Sequence, residues 1–472
     1  MTEASIDKRA LFDSLPPPWP EPLLDAIRAR IATSGQRLVI LDDDPTGAQT
    51  SHGVPVLTTW APELLAAELA QSSAFFLLTN TRALNSADAV ARTREVGLAL
   101  REATARGGHD VAVASRGDST LRGHFPAEVD AFAESWAVDG SERPSYILAP
   151  YFAEGGRFTL GDVHYVLQGE TLVPAAQTEF ARDRVFGYGS SHLPSWVEEK
   201  TSGRVRASEV VSISIEDLRL GGPRTVATKL RDAPDGDAII VNAADDRDIE
   251  VFVMGLLDAE AAGKRFLYRT AASFVRVRAG ISSRPLLSTA EIRDEGAAGG
   301  LVVVGSYIDK SSEQLSAALA VLDVNAIELR VDALMSGETD VEVRRVSAEV
   351  NRLLADGADV IVYTSRGQRT GGTEAETLAI AQRISGALCA VVQALAVRPR
   401  FLLVKGGNTA SDIATRGLGV QRAMALGQLQ PGVPVWQLGP ETRFAGLRYV
   451  IYPGNVGAPD GVADAVRLLG RS

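Results

Sequence analysis

One cysteine, Cys389, stands in 472 residues, which excludes an intrachain disulfide framework and any cysteine-rich zinc site. It lies in the helical pattern from Ile384 to Val392 and reads as buried core in a reducing, cytoplasmic protein. Histidine is also scarce. The five, at 52, 109, 124, 164 and 192, show no paired metal-ligand spacing, and only His124 stands near a charged loop. Basic charge is in deficit, with a formal net charge of -11, so neither nucleic acid nor an anionic membrane would be bound by bulk attraction. No apolar run reaches membrane-spanning length, and the polar N-terminus, leading into Pro16-Pro17-Pro18-Trp19-Pro20, carries no signal-peptide core.

What is present is an ordinary globular balance, 45% hydrophobic and 23% charged, in a chain too long for one core. Short apolar runs alternate with Ala/Leu/Glu/Arg-rich helical stretches, an α/β rhythm. Strands are expected at 75–78, 110–114, 146–148, 239–241, 301–304, 360–363, 401–404 and 448–451, and their unbroken hydrophobicity argues for parallel strands covered on both faces. Ser282-Ser283-Arg284-Pro285 and the small-residue stretch 296–300 mark a boundary. The expected fold is α/β in two domains, each a mostly parallel sheet flanked by helices, with an active-site cleft between them. The divisions are an N-terminal extension at 1–36, a first domain at 37–285 and a second at 296–472.

The densest chemistry follows the strand 110–114. Ser115-Arg116-Gly117-Asp118-Ser119-Thr120-Leu121-Arg122-Gly123-His124 puts two guanidiniums, a carboxylate and hydroxyls where an open α/β sheet binds ligands. Arginines fork a carboxylate or phosphate, while Asp118 suits a hydroxyl or its proton, so the ligand should carry both an acid and hydroxyls. A second strand, from Arg37 to Leu41, ends in Asp42-Asp43-Asp44-Pro45-Thr46-Gly47. Three adjacent acids raise at least one pKa, and this run can take a proton, orient a hydroxyl or hold Mg²⁺, but spacing names no Mg²⁺ ligand and Asp44 is only a guess. Asp42-x-Asp44-x-Thr46 also fits the nucleophile motif of haloacid-dehalogenase-type phosphatases, with Asp245-Asp246 as a later acidic pair. In the second half, small-residue loops at Gly305-Ser306-Tyr307, Gly406-Gly407-Asn408-Thr409 and Gly454-Asn455-Val456-Gly457 each follow a strand, where glycine lets backbone approach a phosphate.

These segments, with Ala149 to Arg157, Gln177 to Asp183, Tyr268 to Phe274 and Lys405 to Ala414, fall in one order, and the chain from residue 37 onward resembles the four-carbon acid sugar kinase family. The resemblance implies ATP at Ser306, Gly406, Gly407, Asn408, Thr409 and Gly454, and Mg²⁺ accompanying it. It implies phosphorylation of a hydroxyl of threonate, erythronate or an oxo-tetronate. On that basis Asp43 is the preferred general base and Asp118 the second choice, while Asp43, Asp44, Arg82, Arg116, Asp118, Ser119 and Arg122 form the acid site and Lys405 is a further phosphate contact. The phosphatase, and a non-catalytic sugar-acid-binding protein, are the alternatives. The partners are a small sugar acid and ATP, with homo-oligomerisation left open.

Overall fold

Strands that are apolar on both sides need cover on both sides, and the chain supplies it by alternating strand and helix. The computed structural model describes residues 4–136, 144–367, 369 and 371–470. The chain divides into two compact units, Met1–Gly47 with Thr59–Ser283, and Ala48–Thr58 with Arg284–Ser472. By this division residues 1–36 fall in the first unit and 48–58 in the second.

The first unit is built on seven parallel strands in the spatial order Val211–Ile213, Ala238–Val241, Ser145–Ala149, Phe266–Thr270, Val111–Arg116, Arg37–Asp42 and Ala74–Leu78. Val39, Ile40, Phe75, Phe76, Leu77, Ala114 and Ile147 are wholly buried, as a sheet with two covered faces requires. After Arg37–Asp42 the chain adds Ala74–Leu78 on one side and then Val111–Arg116 on the other. The order reverses at the carboxyl ends of those strands, which is where such sheets form their ligand crevice. The aspartate run and the Arg116 loop both leave the sheet at that point. The helix between these strands, Ser86–Gly107, starts where the Asn85 side chain accepts from the Asp88 amide and stops at Gly108, whose φ of 66° fits the left-handed C-cap. A separate antiparallel sheet joins Ile6–Asp7, Thr171–Pro174, Val163–Gln168 and Arg157–Leu160.

The second unit runs Val54–Leu57, Arg422–Gln430, Val433–Leu438, Arg448–Tyr452, Leu402–Lys405, Leu301–Val304, Val360–Thr364 and Asn325–Leu329. The first four pair antiparallel and the last five parallel, Arg448–Tyr452 belonging to both sets. Its core gathers Val302, Val304, Ile361, Leu403, Val435, Val450, Tyr452 and Val466. The antiparallel part was not expected. Arg422–Gln430 alternates half-buried and buried residues along its whole length, the period-two signature of a strand with one packed face, and it contains the polar Gln428 and Gln430 that hide it among loops. Cys389 is buried in the long helix of this unit, where burial pushes its thiol up to about 11, so it is packing and not a nucleophile.

Candidate active site

In the first unit the structure brings Asp43, Asp44, Arg82, Arg116, Asp118 and Arg122 into one ionic network. Backbone bonds stitch the loops first: Asp43 N donates to Arg116 O at 3.3 Å, Arg82 N to Asp43 O at 3.2 Å, and Gly117 N to Thr270 O at 2.9 Å. Arg82 then reaches three carboxylates, Asp44 at 2.6 Å, Asp118 at 3.5 Å and Asp43 at 3.9 Å. Arg116 stands 3.4 Å from Asp42 and 3.8 Å from Asp43, and Arg122 Nε donates to Asp118 at 2.7 Å. Ser119 is buried in the same turn. The loop needs two unusual residues, Leu121 with φ 69° and Gly123 with φ 125°.

One participant has no counterpart in the sequence reading. Arg269, at the end of the Phe266–Thr270 strand, is buried, donates Nη2 to Arg122 O at 3.0 Å and lies where its charge acts on Asp43. A Cβ on Gly117 would fall 1.6 Å from its Nη1, and one on Gly123 2.6 Å from its Nη2. These two glycines are therefore the floor on which the guanidinium rests. The motif Tyr268 to Phe274 was the only signal for it.

The carboxyls divide by environment. Burial pushes Asp43 up, and Arg82, Arg269 and Arg116 only partly offset it; both of its oxygens are buried without a hydrogen-bond partner. A buried carboxyl held only by charges about 4 Å away is costly and marks a site. Burial also acts on Asp118 and Asp44, but Arg82, with Arg122 and Thr120 for Asp118 and Thr46 for Asp44, outweighs it and holds both well inside the ionised range. Asp42 is pushed up by burial to about 8 despite Arg116. Its carboxyl lies against the backbone of Gly47, where a Cβ would come within 2.0 Å of it.

That geometry speaks against the phosphatase alternative, whose nucleophile must be an open carboxylate. Asp245 caps the helix Asp246–Ala261, Asp246 pairs with Arg276, and their strand is four places from the Arg37–Asp42 strand, roughly 19 Å at sheet spacing. A raised folded-state pKa means that Asp42 favours folding fully below its unfolded value near 4, and that this contribution is lost as pH rises to about 8. Asp42→Asn should therefore gain melting temperature relative to the unaltered protein as pH is raised from 4 to 9, which calorimetry at matched pH would measure. A constant difference would remove Asp42 as the titrating group.

Two histidines exchange roles. His124, expected near function, gives Nε2 to Leu84 O at 3.0 Å and packs edge-on to Phe186, a structural tie. His164 contacts Ser119 O through Nε2 at 2.8 Å, and burial lowers its pKa to about 4, so a neutral imidazole fixes the loop. Tyr188 adds a 2.7 Å bond to Thr120 O.

In the second unit three loops converge on Ser306. A Cβ on Gly406 would lie 3.2 Å from Ser306 Cβ and 3.4 Å from Thr409 Oγ1, and one on Gly454 3.0 Å from Ser306 Oγ. Gly406 has φ 119°, which L residues rarely adopt, and its N–H donates to Tyr452 O at 2.8 Å. Gly407 opens the short helix Gly407–Asp412, and Asn408 is exposed on it. Ser311 donates to Ser306 Oγ at 2.9 Å. Lys405 does not reach toward a phosphate: it is wholly buried, donating to the carbonyls of Pro453 and Gly454, and burial brings its pKa to about 7. Its charge serves the loop. Arg366, missed in the sequence, does face the cluster, donating to Ser306 O at 2.7 Å and Ser312 Oγ at 2.8 Å with its Nη1 buried and unpaired. This cradle of close backbone, with a spare guanidinium N–H, fits a nucleotide's phosphates.

A magnesium site built by protein fits less well. Among the described residues no three His, Cys, Asp or Glu side chains converge on a metal position, and Asp44 is held by Arg82 and Thr46. Among them, too, no helix is long and apolar enough to cross a membrane.

Comparison with known proteins also gives two domains, with the first unbroken through 48–58. Residues 38–278 match the family model of a sugar-binding N-terminal domain, and residues 301–462 that of a nucleotide-binding C-terminal domain. Over 170 residues the chain is 32% identical to a D-threonate kinase of Bordetella bronchiseptica, a stretch covering 34% of this chain and 39% of that protein. Among solved structures, a Salmonella typhimurium LT2 protein carrying a tRNA-synthase name superposes with a TM-score of 0.65 at 15% identity, over 92% of this chain and all of its own. A Haemophilus influenzae protein gives 0.60 at 16% identity, over 90% and 98%. At those identities the likeness is one of fold.

Proposed function

The chain belongs to the four-carbon acid sugar kinase family, and from that premise we propose that it transfers the γ-phosphoryl group of ATP to a hydroxyl of threonate, erythronate or an oxo-tetronate. The observation that carries this reading is Asp43, a buried carboxyl without hydrogen bonds, ringed by Arg82, Arg116 and Arg269. Its raised pKa makes it a stronger base than an exposed aspartate, suited to take the proton of an acceptor hydroxyl. Asp118, held ionised by Arg82 and Arg122, orients hydroxyls, with Ser119 beside it. The arginines offset the charge of the acid and of the migrating phosphoryl group. The Ser306, Gly406 to Thr409 and Gly454 loops take ATP, and Arg366 is the side chain best placed to add a phosphate contact. Any divalent ion arrives with the nucleotide, as magnesium commonly does when phosphates supply its ligands.

The direct test is acceptor-dependent ADP release, with mass spectrometry of the product, across a panel of four-carbon acids and their neutral polyols. A tetronate should exceed the matching polyol in kcat/KM by about 10–100-fold, because losing a charge-assisted pair costs roughly 1.5–3 kcal/mol. Binding of tetronate without any ATP consumption would instead leave a sugar-acid-binding protein.

A further inference from the structure

The arginines that the sequence points to are already committed. Arg82 answers three aspartates, Arg116 answers Asp42 and Asp43, and Arg122 answers Asp118 while standing 3.6 Å from Asp183. An acid ligand gains most from a cation that the protein itself leaves without an ion pair. Arg157 meets that description. Its side chain makes no ion pair or hydrogen bond among the described residues, and its Nε is buried without a partner. It opens the strand Arg157–Leu160 of the small antiparallel sheet.

Its backbone is fixed. N–H and C=O exchange bonds of 2.8 and 3.0 Å with Phe152, closing a tight turn, and Gly156, with φ 73°, packs against Leu167. The guanidinium stands 5.3 Å from the centroid of Phe180, and that of Arg122 stands 5.2 Å from the same ring. Asp118 and Arg122 are both close enough to act on Arg157 by charge, and burial lowers its pKa. Two guanidiniums on one ring repel unless an anion joins them.

We propose that Arg157 is the anchor for the substrate's carboxylate, gripping it together with Arg122 over Phe180 and so setting the preference for four-carbon acids over neutral polyols. The assignment rests on the kinase reading above. Two tasks are then divided: Arg82 and Arg116 preorganise the aspartates, while Arg157 with Arg122 reads the charge of the acceptor.

The experiment compares threonate with its neutral amide, threonamide, in the full-length protein, for the unaltered chain, Arg157→Met and Arg157→Lys. Calorimetric binding, coupled ADP release and the thermal shift given by an ATP analogue are measured for each. Arg157→Met should weaken threonate binding and kcat/KM by roughly 10–100-fold, the effect of a lost charge-assisted pair, and leave threonamide and the nucleotide shift unchanged. Arg157→Lys should recover part of the loss. Threonate affinity within twofold of the unaltered chain in Arg157→Met overturns the proposal. So does an equal loss for threonamide, which would make Arg157 a prop for the pocket wall. If the unaltered chain binds tetronates but consumes no ATP, the kinase reading fails and the Arg157 result still stands or falls on binding alone.

Discussion

Asp43→Asn should lower kcat by about 10²–10⁴-fold, the usual cost of removing a general base, while KM for the tetronate changes little. The substitution keeps the shape of the side chain and deletes its ability to accept a proton. It also removes a charge that burial disfavours in the folded state while leaving Arg82, Arg116 and Arg269 to meet an acidic ligand. The melting temperature near neutral pH should therefore not fall and acid binding should be retained, a combination that misfolding would not give. Single-turnover kinetics with saturating ATP checks it. Asp118→Asn is the comparison: its carboxylate is bonded to Arg122 and Thr120, so its loss should raise KM as well as lower kcat. Near-normal turnover in Asp43→Asn with none in Asp118→Asn would move the base to Asp118.

Gly406→Ala should abolish most nucleotide binding and leave the sugar-acid site intact. The residue's φ of 119° imposes strain on any side chain, and the new methyl would press on Ser306 at 3.2 Å. Strain of this kind costs of order 1–3 kcal/mol. It would be relieved by moving the loop that a phosphate must approach. An ATP analogue at about 100 times its Kd stabilises the native state by roughly 2.7 kcal/mol, or some 5–10 °C for a domain of this size. That shift should vanish while the tetronate shift survives. If both persist, Gly406 is a turn residue only and the nucleotide lies elsewhere.

The parallel strands were legible because each announced itself as an unbroken apolar run, and their ends carried the chemistry. Hence Asp43, Asp44, Arg116, Asp118 and Arg122 were found, and the structure links them through Arg82. What escaped was whatever lacks a local signature. Arg269 is one arginine at the end of an ordinary strand, and its importance lies in the glycines at 117 and 123 that make room for it from another part of the chain. Arg366 likewise reaches Ser306 only through folding. His124 attracted attention by sequence neighbourhood, yet the loop is held by His164, forty residues away in sequence. Lys405 looked like a phosphate ligand because it precedes two glycines, but its burial turns it toward carbonyls.

The short strand Val54–Leu57 has a consequence for biosynthesis. It belongs with the second unit, yet it is translated early, between two parts of the first, and Leu57 pairs with Arg422, 365 residues later. At roughly 5–20 residues per second a ribosome needs on the order of 20–70 s to deliver that partner. Until then Val54, Val56 and Leu57, all buried in the finished protein, have an unclosed edge, and such edges recruit other chains. A gene fragment ending at residue 283 would express that strand without Arg422–Gln430, its antiparallel partner in the second unit. Separating the two halves cleanly requires transplanting residues 48–58 along with the C-terminal piece, so a fusion or split design that respects only the boundary at 284 should aggregate.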